Sequence, residues 1–428
     1  MTYEEALNKI HSLDKFGSRP GLQRINKLFY MLGDDLLCQK FIHVAGTNGK
    51  GSVCQMVSRV LSESNYKTGL FISPYITDFL ERIQINNEMV KEEELINAVE
   101  HIFPLVIKLN TEGIIITEFE FLTAVAFYIF KKNNCDIIVC ETGLGGLLDS
   151  TNLIKTPLCS VLTKIDLDHT AILGDTIELI TEQKCGIIKD GSITISASQN
   201  DVSKSIIEHT ASKKQNRLYY ADDIVLKDIV LSVNGCTFTY NDIKLSIPLI
   251  GEHQIDNAKT ALATLYALKE NGIIDFSEDD LTDGFSKAVN EARFELISQS
   301  PHIILDGAHN VNGITAFKNA TQRFVPQKRI LLVGMLNDKD IENTLSLLEG
   351  DFELVIVTDV PNPRNKDCYE LADICKKYFQ KVLVISNPKS AFDAAYTIAK
   401  DEDYSLCICG SLYLCGEIRP HILKSVSK

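Results

Sequence analysis

Short apolar runs alternate with longer segments of helical periodicity along most of this 428-residue chain. Runs such as FIHVA (41–45), DIIVCE (136–141) and CSVLT (159–163) are almost continuously apolar, as is typical of buried strands. Because helical patterns separate these runs, the alternation predicts βαβ units on a parallel sheet. The first part of the chain is therefore predicted to be an α/β domain.

A different pattern appears between about Arg217 and Ile250. Apolar and polar residues alternate with period two over IVLSVNGCTFTYNDIKLSIPLI (229–250). The dipeptide Asn234-Gly235 at its centre is typical of a tight hairpin turn. We therefore predict a small antiparallel element beside the parallel sheet.

A second α/β series begins after residue 300. It has five strand-like runs, each followed by a helical pattern: HIILDG, RILLVGM, ELVIVTD, KVLVIS and SLCICG. Such a series predicts an independent, Rossmann-like open sheet of ordinary domain size. We place the boundary near Ser298, which gives domains over 1–297 and 298–428. Because open α/β sheets bind ligands at the carboxyl ends of their strands, we expect a cleft between the domains.

Charge and cysteine usage narrow the class of function. The formal net charge of -14 disfavours a nucleic-acid partner, which requires a basic face. The 12 cysteines show no CxxC spacing, so we expect reduced thiols and no zinc site. No apolar run approaches the roughly 20 residues that span a bilayer. The N-terminus is acidic where a signal peptide would be basic. We expect a cytoplasmic protein with no membrane partner.

The segment 46–52 joins the strand FIHVA to a helical pattern, and its sequence is GTNGKGS. Free N–H groups at a helix N-terminus bind anions, and glycines let the backbone wrap closely around a phosphate. Lys50 can reach the β- and γ-phosphates, and a hydroxyl from Ser52 or Thr47 can lie near a metal. These features predict a nucleotide-phosphate site formed by Thr47, Asn48, Gly49, Lys50, Gly51 and Ser52.

This loop departs from the strict P-loop pattern at two positions. Val44 stands where the first glycine belongs, and Gly51 stands where a serine or threonine follows the lysine. A glycine-rich turn with an exposed lysine is the alternative interpretation. The strand–loop–helix context favours the phosphate site.

Loops of the form GTNGKGS resemble those of the ATP-dependent Mur ligase superfamily, and most closely its folylpolyglutamate synthase and dihydrofolate synthase group. Further stretches that support this resemblance follow in order along the chain: FGSRPGL (16–22), SPYITDFLERIQIN (73–86), FEFLTAVAF (119–127), ETGLGGLLDSTN (141–152), LDHTAILGDT (167–176), EQKCGIIKDG (182–191), GEHQIDNA (251–258), ARFE (292–295), LDGAHN (305–310), NDKD (337–340) and GSLYLCGEIR (410–419). The resemblance covers nearly the whole chain.

Candidate metal ligands stand at the ends of three strand-like runs. Ser73, Glu141 and His169 could surround one cation, since Mg²⁺ prefers oxygen ligands and retains waters. The resemblance implies that these three residues are the metal ligands, whereas His169 could also be a capping or core histidine. Lys184 would be a solvated helix lysine by spacing alone. The resemblance implies that it is carbamylated and helps to hold a second Mg²⁺.

The resemblance also assigns residues to the nucleotide and the reacting groups. Asn257 would meet the adenine, Arg293 the phosphates and Asp306 the nucleotide, while His309 would lie near the reacting groups. For His309, a capping role is the alternative. Three further residues follow strands of the second series and are candidates for the glutamate or phosphate side of the cleft: Asp338, Lys339 and Ser411.

Two residues differ from what the resemblance leads us to expect near a pterin pocket. The family usually has arginine where Leu147 stands and histidine where Tyr75 stands. The glycine-rich turn that contains Leu147 is not a dinucleotide fingerprint, because Leu148 occupies the third glycine position. We predict that this turn carries Asp149 and Asn152 toward the site.

The predicted function is ATP-dependent ligation of L-glutamate to a folate or dihydropteroate carboxylate through an acyl phosphate, with Mg²⁺ as cofactor. The expected catalytic residues are Lys50, Lys184 and His309, and we expect a monomer. The alternatives are a Mur-type ligase that acts on a cell-wall precursor, a P-loop kinase or ATPase, and a binding module without activity. The sequence leaves open whether the enzyme adds glutamate to dihydropteroate, to a reduced folate or to both.

Overall fold

The computed structural model describes residues 1–13 and 21–426, so most of the stretch FGSRPGL lies outside the described residues. The strands are β1 Phe41–Ala45, β2 Thr68–Phe71, β3 Ile83–Ile85, β4 Glu88–Met89, β5 Ile137–Glu141, β6 Cys159–Leu162, β7 Ile193–Ser196, β8 Arg217–Tyr220, β9 Lys227–Ser232, β10 Gly235–Tyr240, β11 Ile243–Ile247, β12 Glu295–Gln299, β13 His302–Leu305, β14 Arg329–Val333, β15 Leu354–Val357, β16 Val382–Val384 and β17 Ser405–Cys409.

The helices connect and cover these strands. They are α1 Tyr3–His11, α2 Gln23–Leu32, α3 Lys50–Glu63, α4 Glu92–Thr111, α5 Glu118–Lys132, α6 Thr170–Leu173, α7 Ile177–Cys185, α8 Asp201–Lys213, α9 His253–Glu270, α10 Glu278–Ser286, α11 Val311–Phe324, α12 Ile341–Ser346, α13 Cys368–Cys375, α14 Pro388–Glu402 and α15 Leu412–Val426. No helix in the described part of the chain is long and apolar enough to cross a membrane.

The first sheet has eight strands in the order β4-β3-β2-β5-β1-β6-β7-β8. The six strands from β2 to β8 in that order are parallel, which confirms the prediction of a mostly parallel sheet. Strands β3 and β4 add an antiparallel hairpin at one edge. They are only three and two residues long, so no apolar run in the sequence predicts them.

Strand β1 lies in the middle of this sheet and is buried along its whole length. Ile42 and Val44 face the core formed by α3, α9 and α10. Phe41 faces the opposite core, formed by the helices α1, α2, α4 and α5. Helices on both faces explain why the strand is apolar at almost every position. The loop that follows β1 therefore starts from a rigid support.

The predicted antiparallel element is confirmed as a three-stranded sheet in the order β11-β10-β9. Only Val233 and Asn234 separate β9 from β10, and Gly235 opens β10 with a φ of +117°. The inner face of this sheet contributes Phe238 and Leu245 to the core that also contains α10.

The second sheet has six strands in the order β12-β13-β17-β14-β15-β16. The five predicted strands are parallel neighbours, as expected. The predicted count of five was one too low, because β12 adds an antiparallel strand beside β13. Its residues are only partly buried at this edge of the sheet, so their sequence carries little apolar signal. A boundary at Ser298 would cut through β12, which belongs to the second sheet. The division into 1–297 and 298–428 therefore stays a proposal.

Candidate functional site

One cavity of 1340 Å³ lies between the carboxyl ends of the strands of the two sheets. Among the described residues, it brings together the predicted site residues except Lys184 and Asn152. The lining includes Thr47, Asn48, Gly49, Lys50, Gly51, Ser52, Ser73, Glu141, His169, Asn257, Arg293, Asp306 and His309, together with Asp338, Lys339 and Ser411. Polar residues that follow the strands of both sheets thus line one cavity, as the predicted cleft requires.

The loop 46–49 links β1 to the first residue of α3. A Cβ on Gly46 would lie 1.8 Å from Thr163 Oγ1, so only glycine fits beside β6. Gly49 has a φ of +88°, and a Cβ there would lie 2.2 Å from Asn257 Oδ1. The N–H groups of the first turn of α3 have no partner within the helix and carry its positive dipole end. The loop therefore presents a concave anion-binding backbone toward the cavity.

We expect Gly49→Ala to weaken ATP binding by about tenfold, since the new methyl group must displace Asn257 (a loss of about 1.4 kcal/mol). Gly113→Ala is the matched control, because Gly113 has a φ of +77° and open space around its Cβ position. Both substitutions share the left-handed backbone cost of about 1–2 kcal/mol. Calorimetric titration with ATP checks the difference; equal ATP affinity in the two variants would contradict it.

Lys50 opens α3 and folds back over the loop. Its Nζ donates to the backbone oxygens of Gly46 at 3.1 Å and Thr47 at 3.3 Å. The same Nζ lies 3.9 Å from Oε1 of Glu141, at the end of β5. The ammonium group is therefore held at the rim of the loop, next to a buried carboxylate.

The two hydroxyl groups of the loop have different partners. Thr47 Oγ1 donates to the backbone oxygen of Asp166 at 2.9 Å and accepts from its N–H at 3.0 Å, so it fastens the loop to the segment after β6. Ser52 Oγ accepts from Asn290 Nδ2 at 3.2 Å. Because Thr47 is committed to Asp166, Ser52 is the better candidate for a hydroxyl near a metal.

Glu141 is a buried carboxylate next to Lys50. Burial raises its pKa, and Lys50 and the N–H of Ser73 oppose that rise. The Ser73 N–H donates to Oε2 at 3.2 Å. No group of three His, Cys, Asp or Glu side chains among the described residues forms a complete metal site. One carboxylate beside a phosphate loop suits Mg²⁺, which binds one or two carboxylates and completes its shell with phosphates and water.

His169 stands in the left-handed conformation with a φ of +51°, directly before α6. Its side chain makes no capping hydrogen bond and lines the cavity, so the capping alternative is not what the geometry shows. Burial lowers the pKa of its imidazole, although Asp168 opposes that effect. A neutral imidazole is the form that can bind a metal.

Asp168 joins the two halves of the molecule. Its carboxylate lies 3.3 Å from Nζ of Lys339 and accepts from Asn310 Nδ2 at 3.0 Å. Although burial opposes it, the charges of His169 and Lys339 hold the pKa of Asp168 well below its usual range. The predicted candidate Lys339 therefore forms an ion pair with a residue of the first domain. Its neighbour Asp338 pairs with Arg364, which belongs to the second domain.

Lys184 lies behind the loop 46–49 and is buried, so the prediction of a solvated lysine from spacing alone was wrong. Its Nζ donates to the backbone oxygen of Gly46 at 2.9 Å. Burial, followed by the charge of Lys50, lowers its pKa to about 7. A substantial fraction of this amine is therefore neutral near pH 7, which is the state that can react with CO₂.

Asn257 and Asp306 line the cavity and are each fixed by hydrogen bonds. Asn257 Nδ2 donates to Gln254 Oε1 at 2.9 Å, which aims the amide against Gly49. Asp306 accepts from the N–H of Phe294 at 2.9 Å and of Ala308 at 2.7 Å. Burial raises the pKa of Asp306 to about 6, and Arg293 opposes the rise. Asp306 thus fixes the chain just before β12 and just after β13.

His309 Nδ1 lies 2.7 Å from the backbone oxygen of Gly307. Because a carbonyl only accepts, Nδ1 carries the proton and Nε2 is left as an acceptor. Burial, followed by the charge of Lys339, lowers the pKa of His309 to about 4. The N-cap of α11 is Asn310 and not His309, so the capping alternative is not observed.

The turn after β5 differs in part from its prediction. Asp149 lines the cavity, as expected. Asn152 does not line it and instead donates to the backbone oxygens of Leu147 at 2.9 Å and Gly186 at 3.1 Å. Tyr75 lies on the cavity wall, whereas the side chain of Leu147 is exposed and outside the lining. Of the two departures from the family, only the tyrosine can touch a ligand in this cavity.

A buried hydrogen-bond chain supports Asp149 and has no signature in the sequence. Thr151 Oγ1 donates to Asp149 Oδ1 at 2.5 Å. The single hydroxyl proton is thereby used, so His43 Nε2, at 2.8 Å, must donate to Thr151. His43 Nδ1 is buried without a partner among the described residues, and burial lowers the pKa of His43 to about 3.

We expect Thr151→Val to lower the free energy of unfolding by about 3 kcal/mol, because it leaves the His43 donor and the Asp149 acceptor buried without that partner. Thr151→Ser keeps the hydroxyl and should lie within about 1 kcal/mol of the wild type. Urea unfolding measures both values. Equal stability of the two variants would mean that the hydroxyl contributes nothing.

Comparison with known proteins identifies the relatives of this arrangement. The family model of the Mur ligase middle domain matches residues 44–265, and that of the Mur ligase glutamate ligase domain matches residues 292–412. Dihydrofolate synthase/folylpolyglutamate synthase from Bacillus subtilis is 34% identical, over 98% of this chain and 99% of that protein.

Solved structures agree with this result along the full chain. Folylpolyglutamate synthase from Mycobacterium tuberculosis, complexed with ADP and AMPPCP, is 28% identical with a TM-score of 0.90, over 98% of each chain. FolC from E. coli, in complex with DHPP and ADP, is 26% identical with a TM-score of 0.84, over 100% of this chain and 99% of that one.

Proposed function

The chain belongs to the Mur ligase family, within its group of folylpolyglutamate and dihydrofolate synthases, and from this membership we propose its reaction and the roles of its residues. It is an ATP-dependent acid–amino-acid ligase. The observation that supports this function best is the single cavity in which the phosphate loop of β1 and α3 faces the strand ends of the second sheet. A phosphoryl donor and an amine can meet there.

The reaction proceeds in two steps. The carboxylate of the acceptor attacks the γ-phosphorus of ATP, which breaks the bond to the β-phosphate oxygen and gives an acyl phosphate and ADP. The neutral amine of L-glutamate then attacks the acyl carbon, the bond to phosphate breaks as the amide forms, and the proton lost by the nitrogen leaves with the phosphate. Activation is required because oxide cannot leave from a free carboxylate. Closure of the cavity around the substrates would exclude water and protect the acyl phosphate.

Lys50 and the first turn of α3 hold the β- and γ-phosphates, since the ammonium group and the loop backbone face the same part of the cavity. Ser52 is the hydroxyl beside them. Glu141 and His169, with Ser73, would hold Mg²⁺ against the phosphates. When bound, that ion neutralises charge that develops on the transferred phosphoryl group.

Lys184 would be carbamylated and would help to hold a second Mg²⁺. Its amine attacks CO₂, a proton is released, and the product carries a carboxylate-like group. The carbamate retains one N–H, which can keep the present hydrogen bond to Gly46. Burial and a pKa near 7 support this role, because both favour the neutral amine.

The remaining residues orient the nucleotide and the second substrate. Asn257, against Gly49, would meet the adenine, while Arg293 would contact the phosphates. Asp306 would contact the nucleotide from the start of the second domain. His309 offers an unprotonated Nε2 to the cavity and would accept a hydrogen bond from the attacking amine.

The domain division and the cellular setting are also proposals. We place the boundary before Glu295, since β12 belongs to the second sheet. The buried cysteines of the described residues, such as Cys54 and Cys140, are free thiols, as suits a cytoplasmic protein. We expect the enzyme to act as a monomer.

The acceptor is either dihydropteroate or a reduced folate, or both, as the names and bound DHPP of the relatives suggest. ADP release with L-glutamate and each acceptor in turn tests the proposal. Release that depends on both substrates, with formation of the amide, would establish it. ADP release without amide would indicate a kinase or ATPase, and activity only with a cell-wall precursor would indicate another Mur-type ligase.

A further inference from the structure

Arg82 stands in the stretch 73–86, directly after a tightly held turn. The carboxylate of Glu81 accepts hydrogen bonds of 2.6–2.8 Å from the backbone N–H groups of residues 76–78. The turn is therefore fixed by three bonds to one side chain. Arg82 follows at the start of β3, and its side chain lines the cavity.

Aromatic rings surround the Arg82 guanidinium. Its Cζ lies 5.0 Å from the ring centroid of Tyr75 and 5.8 Å from that of Phe79. Tyr413, from α15 of the second domain, is near enough to act on its charge. Rings attract a guanidinium over their faces and leave its planar N–H edge for hydrogen bonding.

Arg82 has no ion-pair partner among the described residues, and its Nε is buried without a hydrogen bond. Glu118 and Glu141 act on it only from beyond contact distance. Arginine stays protonated at physiological pH, and an unsatisfied buried charged donor is destabilising. Such a group on a cavity wall is suited to an anionic ligand.

We propose that Arg82 binds the carboxylate of the acceptor substrate, the group to which glutamate is added. This assignment rests on the proposed function. The reacting carboxylate must lie near the phosphate loop and the metal candidates, and Ser73 and Glu141 line the same cavity as Arg82. A guanidinium matches a carboxylate with two parallel hydrogen bonds. Tyr75, which lines the cavity beside Arg82, would lie next to the part of the acceptor that bears this carboxylate.

The γ-phosphate of ATP is the other oxyanion that reaches this cavity. In the proposed function its partners are Lys50 and the N–H groups at the start of α3. The apolar ring face of Tyr75, which lines the cavity beside Arg82, suits an organic acid better than a phosphate. We therefore assign Arg82 to the carboxylate, and the experiment separates the two anions.

The experiment compares binding of dihydropteroate with binding of its uncharged methyl ester, in the wild type, Arg82→Gln and Arg82→Lys. The wild type should bind the acid at least tenfold more tightly than the ester, as a charge-assisted pair implies. In Arg82→Gln the ratio should fall to about one, whereas Arg82→Lys should retain part of it. Affinity for AMPPCP should not change in either variant.

Arg59→Gln is the charge-matched control. Arg59 lies on α3, outside the cavity lining, and its Nε is likewise buried without a partner. This variant should keep the wild-type ratio of acid to ester. Free guanidinium ions should partly restore amide formation in Arg82→Ala, which a purely structural role would not allow.

An unchanged ratio in Arg82→Gln would overturn the assignment, and so would a loss of AMPPCP affinity with the ratio preserved. Neither result would contradict the proposed function, provided that the wild type still forms amide and ADP from dihydropteroate, glutamate and ATP. If the wild type forms no amide with any folate-type acceptor, the proposed function fails, and the Arg82 assignment fails with it.

Discussion

Lys50→Ala should reduce substrate-driven ADP release by about 10³-fold, comparable with the loss of a preorganised transition-state donor. Lys50 is the ammonium group at the phosphate loop, held by the backbone oxygens of Gly46 and Thr47. Its charge would be needed most as charge develops on the transferred phosphoryl group. Steady-state ADP release with glutamate and a folate-type acceptor measures the effect.

Two controls separate chemistry from folding. The charge of Lys50 lowers the pKa of Glu141, so its loss leaves a buried carboxylate less stabilised. Lys50→Met keeps most of the packing, and circular dichroism reports whether either variant is folded. Lys131→Ala removes a lysine that pairs with Asp35 on the surface and should keep full activity. Full activity in folded Lys50→Ala would remove the phosphate-loop assignment.

Lys184→Ala should lower kcat by about 10- to 100-fold, in line with the loss of a group that supports a metal ligand shell. Short carboxylic acids such as acetate should restore part of the activity, because they can occupy the space of the carbamate. Lys189→Ala is the matched control, since Lys189 is a nearby, partly buried lysine outside the cavity lining. Wild-type activity in Lys184→Ala, without rescue, would count against carbamylation.

The pH dependence follows from the lowered pKa of Lys184, which is about 7. Below that pH the amine is protonated and cannot attack CO₂, and above it the neutral form dominates. Activity should therefore fall as the pH decreases from 8 to 6, and removal of dissolved CO₂ should mimic the fall at pH 8. The acid limb should vanish in Lys184→Ala assayed with acetate.

Several features were fixed by local sequence. The continuous apolar run 41–45 predicted β1 because a strand covered by helices on both faces needs apolar residues throughout. The glycine-rich segment after it predicted a tight loop before a helix, and Gly49 takes a φ of +88° there, which favours glycine. The period-two pattern around Asn234 predicted the hairpin, because the alternation and the Asn-Gly turn both depend on residues adjacent in the chain.

Other features required contacts between distant parts of the chain. Helical spacing marks Lys184 as solvated, yet α7 places its Nζ against Gly46, 138 residues away. Burial and pKa follow from that contact and from no local pattern. The resemblance to a known family, not periodicity, pointed to this lysine beforehand.

Sequence by itself thus determined the strand–loop–helix unit and the two α/β sheets, because these depend on residues adjacent in the chain. Only the tertiary structure decided which polar groups share the cavity. Asp168 meets Lys339, and His43 supports Asp149 through Thr151, across separations that periodicity does not encode. The charge state and hydrogen-bonding role of each group depend on such neighbours, since burial and nearby charges set its pKa.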